Sequence, residues 1–190
     1  MVHIAIEGMD GVGKTTACKL LAERLGYKFV EKNLHFLFDE NDKFDNYFRI
    51  RDQVNSNSDR LFTSWFYALG NIYLYTMFKD ENIITDRHFL SNYAWSGTDD
   101  NIEVYDLLVK KLGAPNLTVI LYADEMAIAN RLRSRDEHDS DLEKVKKAKE
   151  KYEKMVCFCE RYKMPYMIID TSNSTPDQTV DLIMKHIEGR

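Results

Sequence analysis

A glycine-rich segment near the start of the chain has the spacing G-x-x-x-x-G-K-T of a phosphate-binding loop. The two fixed glycines of this spacing, Gly8 and Gly13, let the backbone adopt turns that a side chain would block. The freed N–H groups then converge on phosphate oxygens at the positive end of the following helix. A glycine-rich turn that binds nothing is the alternative, and the position between an apolar run and an amphipathic run disfavours it. The residues predicted to bind ATP here are Gly8, Asp10, Gly11, Val12, Gly13, Lys14, Thr15 and Thr16.

A second candidate motif follows the apolar run Ile83-Ile84-Thr85, which delivers Asp86 and Arg87 together. The Asp86 carboxylate could hold the water shell of Mg²⁺ or accept the proton of a hydroxyl group. The Arg87 guanidinium could clamp a second phosphate with two hydrogen bonds. A salt bridge at the end of a strand is the alternative. His88 is interpreted as a packed histidine without a chemical role.

A third motif is rich in arginine and contains Arg131, Arg133 and Arg135, followed by several acidic residues. Arg131 and Arg135 are four residues apart and share one face of a helix. Phosphoryl transfer needs positive charge on the moving phosphoryl group, delivered when the site closes. The segment therefore predicts a mobile lid, over about residues 133–142, whose acidic residues can hold it open or pair with it. A solvated charged turn is the alternative.

The elements that must position these motifs alternate between strand-like and helix-like patterns. The predicted strands are Val2–Glu7, Tyr27–Val30, Asn82–Thr85, Leu117–Tyr122 and Tyr166–Ile169. The predicted helices are Thr15–Leu25, Asp42–Val54, Asp59–Phe78, Ile102–Leu112, Glu125–Arg133, Asp141–Tyr162 and Pro176–His186. This alternation predicts one α/β domain over residues 1–190, with a five-stranded parallel sheet and helices on both faces. Ligands then bind at the carboxyl ends of the strands, where the first two motifs lie.

The composition is that of one ordinary globular domain, with 44% hydrophobic and 30% charged residues among 190. The 26 basic and 31 acidic residues give a net charge of -5, which argues against a nucleic-acid-binding surface. The three cysteines are an odd number and predict reduced thiols in a cytoplasmic protein. No apolar run approaches the roughly 18 residues that a membrane span needs.

The phosphate-binding loop alone does not distinguish kinases from switches and motors. A GTPase switch would carry an N-K-x-D motif, which the sequence lacks. A motor ATPase would carry an apolar strand that ends in Asp-Glu, and Thr118 to Glu125 superficially offers one. The chain is short for a motor, and Asp124 can also serve as the N-cap of the next helix.

Taken together, the motifs resemble the thymidylate kinase family of nucleoside monophosphate kinases. The similarity covers the loop Ile6–Thr16 with its internal acidic residue, and the pattern D-R-x-x-x-S-x-x-A-aromatic that begins at Asp86. It continues through Pro115–Tyr122, which matches the fourth strand, and through the arginine-rich lid. The resemblance implies a three-layer P-loop kinase fold and phosphorylation of dTMP to dTDP with ATP and Mg²⁺. It also implies a cytosolic homodimer.

For the ATP half of the site, the resemblance places Lys14 and Thr15 on ATP and Mg²⁺. The phosphate-binding loop has no basic residue at its variable positions, and in such members the lid supplies the catalytic arginine. Arg135 or Arg133 inherits that role, and Arg131 would lie along the adenine.

For the acceptor half, the resemblance assigns the sugar 3′-hydroxyl to Asp10 and the acceptor phosphate to Arg87. Lys32 stands where the family has an arginine after the second strand, so the charge is kept and the bidentate fork is lost. A gapless match places Phe62 at the aromatic position that stacks on thymine. It places Phe66 where the family has an arginine that reads a base oxygen. The catalytic half therefore matches the family better than the base-reading half.

Glu31 opens an alternative assignment. Deoxynucleoside kinases are related enzymes that use a Glu after the second strand as a general base on a nucleoside hydroxyl. They usually have Glu-Arg where this chain has Asp86-Arg87, and Pro where it has Lys32. A deoxynucleoside kinase or another small-molecule kinase is therefore the second hypothesis. A P-loop protein that binds ATP without kinase activity is the third.

Overall fold

A five-stranded, entirely parallel sheet forms the centre of the protein, in the computed structural model that describes residues 1–40 and 43–189. Its strands run in the spatial order β2-β3-β1-β4-β5. They are β1 (His3–Gly8), β2 (Lys28–Glu31), β3 (Ile83–Asp86), β4 (Leu117–Tyr122) and β5 (Tyr166–Asp170). All five predicted strands are therefore confirmed, and the α/β class with them.

Helices cover both faces of this sheet. They are α1 (Lys14–Leu25), α2 (His35–Phe38), α3 (Asp45–Ser56), α4 (Arg60–Met77), α5 (Phe89–Ser96), α6 (Ile102–Leu112), α7 (Glu125–Arg135), α8 (Ala148–Arg161) and α9 (Pro176–Glu188). Short 3₁₀ segments occupy Asp99–Asn101 and Ser140–Lys147. None of the helices within the described ranges is long and apolar enough to cross a membrane.

The helices differ from the prediction at several points, among them the short helix α2, which was not predicted, and α7, which ends at Arg135 rather than Arg133. The segment predicted as one helix over Asp141–Tyr162 is a 3₁₀ segment followed by α8, and the 3₁₀ segment is capped by the Asp139 carboxylate. Helix α5 was not predicted, because its N-terminus is fixed by a side chain from a distant strand rather than by a local cap. The helix predicted over Asp42–Val54 has its predicted start outside the described residues, and α3 begins at Asp45.

Two apolar cores lie on opposite faces of the sheet. In β4, Val119 and Leu121 point to the core shared with α1, α7 and α9, whereas Ile120 points to the core shared with α4, α5, α6 and α8. This alternation follows from the two-residue repeat of a strand. Because both faces are covered, β1 and β4 are almost continuously buried.

The parallel register aligns the carboxyl ends of the strands at one edge. Ile6 pairs with Asp86, Gly8 pairs with Leu121, and Glu31 pairs with Asp86. Strands β2 and β3 lie on one side of β1, and strands β4 and β5 lie on the other side. Such a reversal of strand order opens a crevice at the carboxyl edge, where ligands bind in open α/β sheets.

Two buried histidines, His3 and His88, pack edge to face with ring centroids 4.8 Å apart. His3 bonds to Tyr75 and Thr85 at 2.8 and 2.9 Å, while both ring nitrogens of His88 are buried without a hydrogen-bond partner among the described residues. Burial lowers the pKa of His3 from 6.5 to about 3. Burial, and then the neighbouring His3, lower the pKa of His88. Both imidazoles are therefore neutral in the folded protein at pH 7.

This pair is expected to make the protein less stable in mild acid. Since the pKa values are depressed in the folded state, the unfolded chain takes up protons first, and stability is lost as the pH falls below about 6.5. Each histidine contributes about 1.4 kcal/mol per pH unit in the range where only the unfolded state is protonated. His88→Phe should reduce the slope of unfolding free energy between pH 6.5 and 5.5, measured by urea denaturation. An unchanged slope would show that His88 does not titrate differently in the two states.

Candidate active site

The phosphate-binding loop joins the end of β1 to the start of α1 and depends on glycine at its turns. Gly8 has a φ of 142°, and a Cβ at this position would collide with the Leu121 carbonyl oxygen. Gly11 and Gly13 have φ of 84° and 94°, which side chains rarely adopt. Helix α1 has no acidic residue in its first turn and no side-chain cap from the described residues. Its first N–H groups are thus available to an anion.

The Lys14 ammonium group lies inside this loop. Lys14 is only 5% exposed, its Nζ donates to the Met9 carbonyl oxygen at 2.7 Å, and it lies 3.7 Å from Asp10 Oδ1. Burial and the charge of Arg87 lower the pKa of Lys14, and Asp10 and Asp86 oppose this. Phosphate oxygens would replace a neutral carbonyl with a charged partner for this ammonium group.

A pair of oxygen ligands suited to Mg²⁺ lies next to the loop. The Thr15 hydroxyl donates to Asp86 Oδ2, and Asp86 Oδ1 is buried without a hydrogen-bond partner among the described residues. Mg²⁺ prefers oxygen ligands and is commonly held by one or two protein groups together with phosphate oxygens and water. In the described part of the chain, no group of three or more His, Cys, Asp or Glu residues could hold a metal ion. The Thr15 hydroxyl and the partnerless Asp86 oxygen have the ligand chemistry that such an ion would need.

Arg87 lies across the loop from Lys14 and is held in an uncommon backbone conformation. Its φ is 77°, which costs energy for a residue with a side chain. One guanidinium nitrogen donates to the Gly8 carbonyl oxygen and to Ser91 Oγ, both at 3.0 Å. The other nitrogen donates to Asp10 Oδ1 at 2.6 Å. These contacts aim the guanidinium group at the crevice between the first two motifs.

Asp10 and Arg87 are charged in this arrangement. Burial favours the neutral form of Asp10, but the charges of Arg87 and Lys14 outweigh it and hold the pKa of that carboxyl below its ordinary value. Burial likewise disfavours the charged form of Arg87, while Asp10 and Asp86 raise its pKa. The edge of the sheet thus carries two cations and two carboxylates within one small crevice.

Glu7 is a buried carboxyl group that holds the turn before α5 and that the sequence motifs did not single out. It is fully buried, and its Oε1 accepts from the backbone N–H groups of His88 and Leu90 at 2.8 and 3.0 Å. Its Oε2 accepts from the N–H and hydroxyl groups of Ser91. Burial raises the pKa of this carboxyl, and the hydrogen bond from Ser91 and the charge of Arg87 oppose the rise. Glu7 therefore fixes the turn that presents Arg87, and its signal was an acidic residue inside an otherwise apolar strand.

Arg131 ties α7 to the nucleotide side of the site. Its guanidinium group donates to the carbonyl oxygens of Gly11 at 3.3 Å, of Ser172 at 3.4 Å and of Thr171. The Thr171 hydroxyl in turn donates to the Val12 carbonyl oxygen at 2.9 Å. The phosphate-binding loop, α7 and the connection after β5 are thereby held together.

Arg135 ends α7 and is paired with acids that follow it. Its Nε donates to Asp139 Oδ2 at 2.7 Å, and its Nη2 lies 3.4 Å from Asp141 Oδ2. Arg133 is exposed and has no hydrogen bond or ion pair to a described residue. Asp141 also accepts from Lys144 at 2.6 Å, whose ammonium group lies 5.8 Å from the ring centroid of Trp95. The arginine-rich segment is thus held by its own acidic residues beside α5.

The residues predicted to bind the acceptor are brought together only in part. Lys32 pairs with Glu31, and its ammonium group lies 5.4 Å from the ring centroid of Phe44. Phe62 is 49% exposed on α4, away from the buried face of the helix. Phe66 stacks in parallel on Phe38 of α2, with 6.2 Å between ring centroids. The structure therefore groups Lys32 with the strand edge, while Phe62 stays a prediction.

Comparison with known proteins is consistent across the chain. A family model described as thymidylate kinase matches residues 6–183. A probable thymidylate kinase of Metallosphaera sedula is 30% identical over 84% of this chain and 80% of its own length. A thymidylate kinase of Schizosaccharomyces pombe is 26% identical over 95% of this chain and 90% of its own length.

Among solved structures, the deoxyadenosine kinase of M. mycoides with bound dATP superposes with a TM-score of 0.68. The match covers 98% of this chain and 100% of that one, at 20% sequence identity. At this level of identity the likeness concerns the fold alone, and it confirms the α/β architecture of a parallel sheet covered by helices.

Proposed function

Since the chain belongs to the thymidylate kinase family and is a kinase, we propose that it transfers the γ-phosphoryl group of ATP to dTMP, giving dTDP and ADP. The observation that supports this most is the Arg87–Asp10 pair, which joins the end of β3 to the phosphate-binding loop and could take an acceptor with a phosphate at one end and a hydroxyl at the other. Incubation with ATP·Mg²⁺ and a panel of nucleosides and nucleoside monophosphates tests the proposal.

On the ATP side, the N–H groups of the loop and Lys14 would bind the phosphates, and Arg131 would lie along the adenine. Thr15, and Asp86 through water, would hold Mg²⁺, which when bound neutralises charge on the phosphates. The partnerless buried oxygen of Asp86 supports this role. We also count Asp86 and Lys14 among the catalytic groups, because both would lie beside the moving phosphoryl group if the loop binds ATP in this way.

On the acceptor side, Arg87 would bind the phosphate of dTMP, and the Asp10 carboxylate would accept a hydrogen bond from the 3′-hydroxyl of the sugar. A monophosphate brings its own nucleophilic oxyanion, so this chemistry needs cations and no general base. Lys32 adds a third cation at the strand edge.

The lid would complete the site. We propose that residues 133–142 move as a unit within a single domain spanning 1–190, and that Arg135, with Arg133 as the substitute, then reaches the transferring phosphoryl group. Arg135 now contacts the carboxylates of Asp139 and Asp141, and phosphate oxygens would replace these carboxylates as its partners.

Glu31 and Lys32 distinguish a monophosphate acceptor from a nucleoside acceptor, because the two acceptors need opposite chemistry. With a monophosphate, we expect Lys32→Ala to raise the acceptor KM by roughly 10-fold, because one charged hydrogen bond is lost. We expect Glu31→Gln to have little effect. Steady-state kinetics on both variants, with Lys28→Ala as the matched surface control, gives the comparison. Near-complete loss of activity in Glu31→Gln with an unaffected Lys32→Ala would instead identify a nucleoside kinase.

A homodimer is proposed with this function. The apolar side chains at positions 61, 65, 69 and 72 of α4 follow a helical spacing and are each between 42% and 49% exposed, and Leu107 of the neighbouring α6 is 43% exposed. Such a contiguous stripe is unusual on a monomer. Sedimentation equilibrium of the wild type and Leu69→Arg tests it, and a wild-type monomer would contradict it.

The free thiols of all three cysteines support a cytoplasmic location, which cell fractionation tests.

A further inference from the structure

Two predicted acceptor cations, Lys32 and Arg87, follow neighbouring parallel strands and share an uncommon backbone conformation. Their φ values are 48° and 77°, and among the described residues Lys163 is the only other non-glycine with a positive φ. Such a conformation is unfavourable for a residue with a side chain and persists where surrounding contacts enforce it. The buried Glu7 carboxylate enforces the turn at Arg87. The turn at Lys32 needs contacts of its own.

This second turn carries the chain from the end of β2 into α2. Glu31 is the last residue of β2 and is in register with Asp86 of β3. The Lys32 carbonyl oxygen accepts a hydrogen bond from the His35 N–H group at 2.8 Å. Leu34, within the turn, is only 2% exposed. The Lys32 side chain thus leaves the backbone directly beyond the carboxyl edge of the sheet.

Helix α4 meets this turn at Gly70. The Asn33 side-chain amide donates to the Gly70 carbonyl oxygen, in the middle of the helix. Gly70 is buried, and a Cβ at this position would lie 3.0 Å from Leu34 Cγ and 3.3 Å from Asn33 Oδ1. Carbon atoms pack best at about 3.5–4.0 Å, so the helix backbone and the turn are in contact with no room for a side chain between them.

This contact gives a physical reason for the glycine and an anchor for Lys32. Glycine inside a helix is less favourable than alanine, and here it permits the close approach of α4 to the turn. Strand pairing fixes Glu31 on one side of Lys32, and α4 fixes Asn33 on the other side. The two peptide groups that define the Lys32 conformation are therefore both held.

We propose that Asn33 and Gly70 are positioning residues, which hold Lys32 in its left-handed conformation and thereby place its ammonium group for the acceptor phosphate. Neither is assigned a contact with the nucleotide. The Lys32 ammonium group pairs with Glu31 and lies 5.4 Å from the Phe44 ring centroid, so the turn gives it a defined place at the strand edge. This inference rests on the proposed function, because it assumes that Lys32 binds the phosphate of a nucleoside monophosphate.

Gly70→Ala tests the contact from the helix side. The added methyl group would displace Leu34 and Asn33, whereas alanine does not weaken the helix itself. We expect the KM for dTMP at saturating ATP to rise about 3- to 10-fold, at most the effect of losing the Lys32 hydrogen bond, with kcat and the KM for ATP little changed. Thr76→Ala is the matched control, because Thr76 is exposed on the same helix, and it should behave as the wild type.

Asn33→Ala tests the contact from the turn side and should give the same pattern. It removes only the side-chain amide, so it decides the question if Gly70→Ala does not fold. Each substitution is then combined with Lys32→Ala. Residues that act through Lys32 lose their influence once its side chain is gone, so each double variant should have the dTMP KM of Lys32→Ala alone.

A residue with only a packing role would instead add its own effect in both backgrounds. Additive effects on the KM for dTMP would therefore overturn the inference, and so would a wild-type KM in Asn33→Ala. A parallel loss of kcat and of affinity for both substrates would overturn it as well, because it indicates general disruption. A wild-type KM in Lys32→Ala would remove the acceptor role of Lys32, and the inference with it. A wild type that phosphorylates no nucleoside monophosphate would refute the proposed function itself.

Discussion

Lys14→Ala is expected to reduce phosphoryl transfer by at least about 10³-fold, the range seen when a cation on the transferring phosphoryl group is removed. Lys14 is almost fully buried, and its ammonium group contacts the Met9 carbonyl oxygen and the more distant Asp10 carboxylate as its only polar partners among the described residues. This ammonium group would stabilise the negative charge that develops on the phosphoryl oxygens in the transition state. ADP release measured at saturating ATP and acceptor gives the rate.

The fold should survive the same substitution. Burial disfavours the charged form of Lys14, so its removal relieves a desolvation cost and leaves the melting temperature unchanged or higher. Lys19→Ala is the matched control on α1, because Lys19 is exposed and lies outside the loop. A folded Lys14→Ala protein with a rate near that of wild type would contradict the kinase mechanism.

Arg135→Ala is expected to lower kcat by roughly 10²- to 10⁴-fold with a smaller effect on the affinity for ATP, as for a group that acts mainly in the transition state. In the structure its guanidinium group is engaged by Asp139 and lies near Asp141, so contact with a phosphoryl group requires an exchange of partners. Single-turnover rates and the Kd for ATP separate the two effects.

Arg133→Ala is the companion variant, because Arg133 lies in the same turn of α7 and has no protein partner within the described residues. The double variant is needed as well, since neighbouring residues couple. A loss confined to ATP affinity in all three variants would make the lid a binding flap and place the catalytic cation elsewhere.

The sequence predicted the parts of the site that depend on local pattern. The five strands follow from short apolar runs, and the phosphate-binding loop from glycines whose φ values of 84° to 142° the structure confirms. Asp86 and Arg87 were placed at the end of a strand because an apolar run stops there, and the register of β1 and β3 brings them to the loop.

The rest depends on contacts between distant residues. Helix α5 is capped by Glu7, about 80 residues earlier in the chain, so no local signal marks its start. The pairing of Asn55 with Tyr67 likewise joins two helices whose packing no periodicity specifies. A gapless motif match placed Phe66 where the family has a base-reading arginine, and only the tertiary packing shows that its ring stacks on Phe38.

The central claim is that the acceptor is a nucleoside monophosphate, and product analysis tests it most directly. The protein is incubated with ATP·Mg²⁺ and, separately, with thymidine, deoxyadenosine, dTMP, dCMP and no acceptor, and the products are separated by anion-exchange chromatography. We expect dTDP and an equal amount of ADP from dTMP, and no phosphorylated product from either nucleoside. Phosphorylation of thymidine or deoxyadenosine without formation of dTDP from dTMP would contradict the account.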